Sequence, residues 1–200
     1  MITIAVVAAW YGASGIRVLA MFIVLGMMAE WATAFFFDSK VKWTFMRFIG
    51  FLAGGAWLIL MFHSAYVVSG SPITMLLLLA IISCADIGAW FFGKRIGGDK
   101  MWEKISPGKT WSGQIFGIIC GTLAAIAVGF YVYGGFAPKM VWMGIGVSLL
   151  SQYGDLTASF VKRKLGLKDW SKYIPGHGGI LDRFDGWIYV LPIVGLMMMS

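Results

Sequence analysis

Charge is scarce in this chain. Of its 200 residues only 12% are Asp, Glu, Lys or Arg, whereas 60% are hydrophobic and the mean hydropathy is +0.83. Too few polar side chains exist to cover the surface of a soluble domain, so an ordinary water-soluble fold is excluded and the bilayer is the solvent. Cysteine is nearly absent. Cys84 and Cys120 both lie inside apolar runs, which argues against a disulfide framework or a thiolate metal centre and leaves two buried structural thiols. The basic n-region and cleavage site of a secretory signal are lacking too. The opening stretch MITIAVVAAWYGASG is apolar from its first residue and reads as a short first membrane segment.

What is present in quantity is long apolar sequence. A spanning helix needs roughly twenty apolar residues, and the chain divides into runs at 1–11 (short), 18–37, 46–66, 72–93, 111–133, 139–160 and 184–199. Backbone groups in hydrocarbon must be satisfied within their own segment, so these runs predict helices. The expected fold is an all-α polytopic membrane protein, a single integral domain over 1–200. It would be a bundle of about six full transmembrane helices plus the short N-terminal segment. Gly and Pro mark the breaks, as in SGSP at 69–72, GGFAPK at 134–139 and PGHGG at 175–179.

The connections 38–47, 94–110 and 161–183 hold fourteen of the sixteen Lys and Arg, and those between them hold one or none. Basic loops stay inside, so these three face the cytoplasm and the protein belongs in a cell membrane. The net charge of +7 follows from this asymmetry and from anionic lipid head groups, and calls for no nucleic acid partner.

Acids are the rarest charges, nine in all, and an ionisable group inside a span is costly enough to suggest a function. Asp86 and Asp155 each precede the basic end of their run by about seven residues, roughly 10 Å of helix. Asp182 and Asp185, three apart, would share one face of the last helix near the same boundary. Four carboxylates at one level repel unless a cation neutralises them, and hard oxygen ligands select Mg²⁺ or a similar divalent metal. The competing reading pairs each acid with a nearby Lys or Arg at the interface. Glu30 is a further acid within an apolar run.

Around this level lie groups suited to phosphates. Ser159 stands one turn after Asp155, and VKRKLGLKDWSK supplies Lys162, Arg163 and Lys168. Gly176, Gly178 and Gly179 flank His177, and glycines let backbone N–H groups approach an anion. Lys109, in SPGKTWSG, stands at the entrance of another helix, where an interfacial anchor is the simpler alternative. On that helix Gly113, Gly117, Gly121, Ala125 and Gly129 recur every four residues. Such a ridge of small side chains predicts close packing against another helix, internal or from a second subunit.

The run SFVKRKLGLKDWSKYIPGHGGILDRFDG closely resembles the signature of the phosphatidate cytidylyltransferase (CDP-diacylglycerol synthase) family, whose most specific part here covers 155–187. The matching positions are Ser159, Lys162, Arg163, Lys168, Asp169, Pro175, His177, Gly178, Gly179, Asp182, Arg183 and Asp185. ADIGAWFFGKRIGG and SPGKTWSG also look like family segments, and AEW around Glu30 is a weaker echo. Gly108 and Gly186 depart from the usual Lys and Ser, and family members commonly carry more amino-terminal membrane sequence.

The resemblance implies a membrane nucleotidyltransferase of phospholipid biosynthesis that joins CTP and phosphatidate into CDP-diacylglycerol and pyrophosphate. Asp155, Asp182 and Asp185 would be catalytic and hold Mg²⁺, with Asp86 a further candidate ligand. Ser159, Lys162, Arg163, Lys168, His177, Gly178, Gly179, Arg183 and Lys109 would bind substrate. The active site would face the cytoplasm, and the resemblance favours a homodimer. Another CTP-dependent lipid enzyme, a polyprenol kinase or an archaeal-type CDP-lipid synthase, would use similar groups. A cation-coupled transporter would instead favour midplane charges and repeated halves.

Overall fold

The computed structural model describes residues 12–38, 44–171 and 178–200. In chain order it contains α1 (Gly12–Thr33) with a π-helical turn at Ala34–Asp38, α2 (Phe45–Val68), α3 (Pro72–Ile96), β1 (Lys100–Trp102), β2 (Ser106–Thr110), α4 (Trp111–Tyr133), α5 (Lys139–Lys164) and α6 (Trp187–Met199). These fall into two units, Met1–Pro72 with Thr157–Ser200, and Ile73–Leu156. The long helix α5 contributes to both.

In the first unit α2 packs against α1 and α6. The extended Thr44 caps α2, its side chain accepting from Arg47 N at 3.3 Å. Small residues set how closely the helices approach. A Cβ on Gly54 would clash with the Trp31 indole, and one on Gly195 would stand 2.5 Å from Ser64 Cβ. Pro192 sits within α6 and has no N–H to give the carbonyl four residues back. That carbonyl, of Ile188, accepts instead from Trp57 Nε1 of α2 at 2.8 Å. The helix thus tolerates its proline because a neighbour supplies the missing donor.

In the second unit α4 begins at Thr110, whose hydroxyl accepts from Gly113 N at 3.1 Å, and ends at Gly134 with φ +68°. Its ridge is buried along its whole length at Gly113, Gly117, Gly121, Ala125 and Gly129. A Cβ on Gly113 would stand 2.7 Å from the Ala89 carbonyl of α3. One on Gly117 would meet Gln152 Nε2 at 2.5 Å, and one on Gly121 would overlap Ser148 Oγ, both on α5. The close packing predicted from the ridge is therefore present, and its partners are internal. Cys84 and Cys120 are free thiols, half-buried rather than fully buried.

Three expectations are corrected. The number of helices long and apolar enough to cross a membrane is four among the described residues, Gly12–Phe37, Phe45–Val68, Pro72–Ile96 and Trp111–Tyr133, not about six. Helix α5 has the length, but it buries Ser148, Ser151, Gln152, Ser159 and Lys162 and is too polar to qualify. Helix α6 has only 13 residues, short of the roughly twenty a span needs. The bundle is helical as expected, but the all-α description leaves out a small hairpin in the 94–110 connection, where β1 and β2 pair antiparallel with Lys100 opposite Thr110 and Trp102 opposite Ser106. Finally, α6 starts at Trp187, so Asp182 and Asp185 lie in the turns before it and not on one face of it. The short segment expected at 1–11 lies outside the described residues.

Candidate functional site

The turns at 178–186 are organised by carboxylates that collect backbone N–H groups. Asp182 Oδ2 accepts from Trp170 N at 2.8 Å and from Gly179 N at 2.9 Å, while its Oδ1 lies 2.5 Å from Lys162 Nζ. The two side chains are 10% and 9% exposed, so this is an ion pair largely withdrawn from solvent. Gly178 adopts φ +78°, and a Cβ there would stand 2.9 Å from Asp182 Oδ2, which makes glycine the residue for that position. Asp185 Oδ1 accepts from Gly186 N at 2.9 Å, immediately before α6.

A second carboxylate arrives from far away in sequence. Glu30 of α1 has 0% exposure. Its Oε1 accepts from Ser171 Oγ at 2.7 Å and Ile180 N at 2.8 Å, and its Oε2 accepts from Leu181 N at 2.7 Å. An acid isolated in an apolar run was the signal that could have found this residue. Its partners were not readable, being 141 to 151 positions away.

The other signature residues of this unit have differing environments. Ser159 is buried, whereas Arg163, Lys168 and Arg183 are exposed. Arg163 Nη1 donates to the Leu167 carbonyl at 3.0 Å, and Leu165 N and Leu167 N both turn back to the Lys162 carbonyl. This closes the end of α5 and leads the chain toward Trp170. His177 lies outside the described residues.

In the second unit the sequence-selected residues meet at a second ion pair. Lys109 of β2 places Nζ 2.5 Å from Asp155 Oδ2 of α5, with side chains 23% and 38% exposed. Asp86 lies on α3 of the same unit and is exposed. Gln152, one turn before Asp155, donates from Nε2 to the Gln114 carbonyl of α4 at 3.3 Å. The hairpin that carries Lys109 is joined to α4 by Trp111 N donating to the Asp99 carbonyl at 3.1 Å.

No group of three His, Cys, Asp or Glu side chains gathers among the described residues. The donors nevertheless suit a hard cation. Asp155 and Asp182 each already hold an ammonium nitrogen at 2.5 Å, and a carboxylate offers about four lone-pair sites. By donor type these residues fit Mg²⁺.

Comparison with known proteins decides the family. The model of the cytidylyltransferase family matches residues 1–200. The chain belongs to that family. Among curated relatives, the phosphatidate cytidylyltransferase of Staphylococcus aureus (strain COL) is 41% identical over 124 residues, covering 60% of this chain and 46% of the relative. That of Staphylococcus haemolyticus (strain JCSC1435) is 39% identical with the same coverage, and that of Staphylococcus epidermidis (strain ATCC 12228 / FDA PCI 1200) is 38% identical. This cytidylyltransferase-family chain thus spans about half the length of the curated relatives it matches. The family resemblance drawn from the 155–187 segment is borne out, and the long apolar helices make the chain a membrane protein.

Proposed function

We propose that this chain carries the chemistry of a CTP:phosphatidate cytidylyltransferase, forming CDP-diacylglycerol and pyrophosphate. The observation that carries the reading is the 41% identity to a protein named phosphatidate cytidylyltransferase, combined with a signature segment whose Lys162 and Asp182 form a buried pair.

In the reaction a phosphatidate phosphate oxygen attacks the α-phosphorus of CTP. The new P–O bond forms as the bond to the β-phosphate breaks, and pyrophosphate leaves with that electron pair. Both reactants are anionic, so neutralisation and alignment dominate the barrier and no covalent protein nucleophile is needed. Of the cations assigned to substrate, Lys162 and Lys109 are the sheltered ones. Each holds a carboxylate in the resting chain and can exchange it for a phosphate oxygen. Arg163, Lys168 and Arg183, exposed at the end of α5 and in the turns, draw the polyphosphate in. Gly178 and Gly179 keep that stretch of backbone free of side-chain bulk, with Ser159 and His177 assigned to substrate contacts in the same signature.

Mg²⁺ is assigned to Asp155, Asp182 and Asp185, with Asp86 a further candidate ligand. When bound, the metal supplies charge neutralisation at the phosphates. The basic connections support a site facing the cytoplasm. A homodimer is part of the proposal, and because the α4 ridge is occupied internally, a second copy would use a different surface.

The test is mass spectrometry of the product made by purified protein from phosphatidate, CTP and Mg²⁺, with light scattering in detergent for the assembly. CDP-diacylglycerol and pyrophosphate are expected. A phosphorylated polyprenol, a CDP-lipid made only from an archaeal-type substrate, or no CTP turnover would overturn the assignment.

A further inference from the structure

Glu30 is a fully buried acid that the reaction above does not use. Among the described residues its carboxylate accepts from three neutral donors, Ser171 Oγ, Ile180 N and Leu181 N. All three flank Asp182 in the fold, since Ser171 follows Trp170, whose N–H goes to Asp182, and Ile180 follows Gly179, whose N–H goes there too. Gly179 lies between the two acids. Its N–H bonds Asp182, and a Cβ on it would stand 2.6 Å and 2.7 Å from the Glu30 oxygens. The two carboxylates therefore hold one stretch of backbone from opposite sides. A carboxyl group retained fully buried in an apolar helix, with its described donors drawn from the signature segment, is costly unless that segment's placement matters.

We propose that Glu30 is a positioning residue: its carboxylate fixes the backbone around 179–182 and so holds Asp182 at the place, beside Lys162, from which it serves the reaction. The step from geometry to turnover rests on the cytidylyl-transfer reading. The chemistry distinguishes a carboxylate from a mere filler of the same shape. Glu30→Gln keeps the volume but replaces one acceptor oxygen with an NH₂ group, which then faces a backbone N–H of Ile180 or Leu181, donor against donor.

The experiment uses the full chain in detergent, comparing wild type with Glu30→Gln and the milder Ser171→Ala. Amide hydrogen exchange is read across 178–185 alongside kcat and KM for CTP. For Glu30→Gln, exchange at Ile180 and Leu181 should rise about tenfold or more, the equivalent of one lost hydrogen bond to a charged group. Its kcat should fall by about tenfold or more while KM stays within about threefold. Ser171→Ala should raise the same exchange by about threefold, which keeps the test available if Glu30→Gln does not fold. Unchanged exchange in both variants would overturn the proposal, as would raised exchange with kcat held within about twofold of wild type. Wild-type protein that makes no CDP-lipid would sink the reaction assigned above and not the tie, which the exchange rates decide by themselves.

Discussion

The two units are held together by different means. In the one built from Met1–Pro72 and Thr157–Ser200, buried carboxylates gather distant backbone N–H groups, as Glu30 and Asp182 do. In Ile73–Leu156 the helices meet through missing side chains, with α4 presenting glycines to α3 and α5. Among the described residues each unit also carries a Lys–Asp pair at 2.5 Å, but the Lys162–Asp182 side chains are 9% and 10% exposed against 23% and 38% for Lys109–Asp155. Equal distance does not mean equal consequence. Where water is excluded, removing one partner strands the other charge; where it is not, water replaces the lost partner.

The largest effect should come from breaking the buried pair. Asp182→Asn leaves Lys162 uncompensated and presents an amide to the N–H groups of Trp170 and Gly179. A loss of about 3–5 kcal/mol is expected in detergent unfolding, together with loss of product formation. Next comes the packing of the other unit. Gly121→Leu drives a side chain into Ser148 and should cost about 3 kcal/mol, the upper end of overpacking penalties. Ile119→Phe, on the exposed face of α4, should stay within about 0.5 kcal/mol. Equal tolerance at both positions would remove the claim that small residues hold this unit.

A smaller effect tests the donor supplied to the proline. Trp57→Phe should cost about 1–3 kcal/mol by orphaning the Ile188 carbonyl. In a Pro192→Ala background the helix regains its own donor, and the cost should largely disappear in a double-mutant cycle. Among the variants that break a polar contact, Asp155→Asn should change stability least, by under about 1 kcal/mol in unfolding. The same variant should lose product formation about a hundredfold if Asp155 serves the reaction. A stability loss as large as that of Asp182→Asn would erase the distinction between the two pairs.

What could be read from the sequence was what is encoded locally. Helix α4 was placed at 111–133 and runs over those residues, because Thr110 caps it and its four-residue glycine period marks its packed face. The span count was overestimated because apolar run length alone does not register the inward polar face of α5, with Ser148, Ser151 and Gln152, or the late start of α6 at Trp187. The turns that precede α6 are tied over long range. The N–H groups of Ile180 and Leu181 are taken by Glu30, a residue 150 or so positions earlier, and no local pattern reports such a bond. Asp155, Asp182 and Asp185 stood out because acids are expensive in apolar sequence. The pairing of Asp182 with two backbone N–H groups brings Trp170 and Gly179 to one carboxylate from 12 and three positions away, which side-chain types do not encode.

Trp170 extends the argument into spectroscopy. Its ring is 1% exposed and lies 5.4 Å from that of Trp31, centroid to centroid, while its backbone N–H is bound to Asp182. An indole sealed from water emits toward the blue, and two indoles this close couple electronically. Any ligand that rearranges Asp182 must therefore disturb the surroundings of a chromophore attached to the same peptide unit. The difference spectrum between the wild type and Trp170→Phe isolates that signal from the other nine tryptophans, giving the signature segment an optical readout that requires no label.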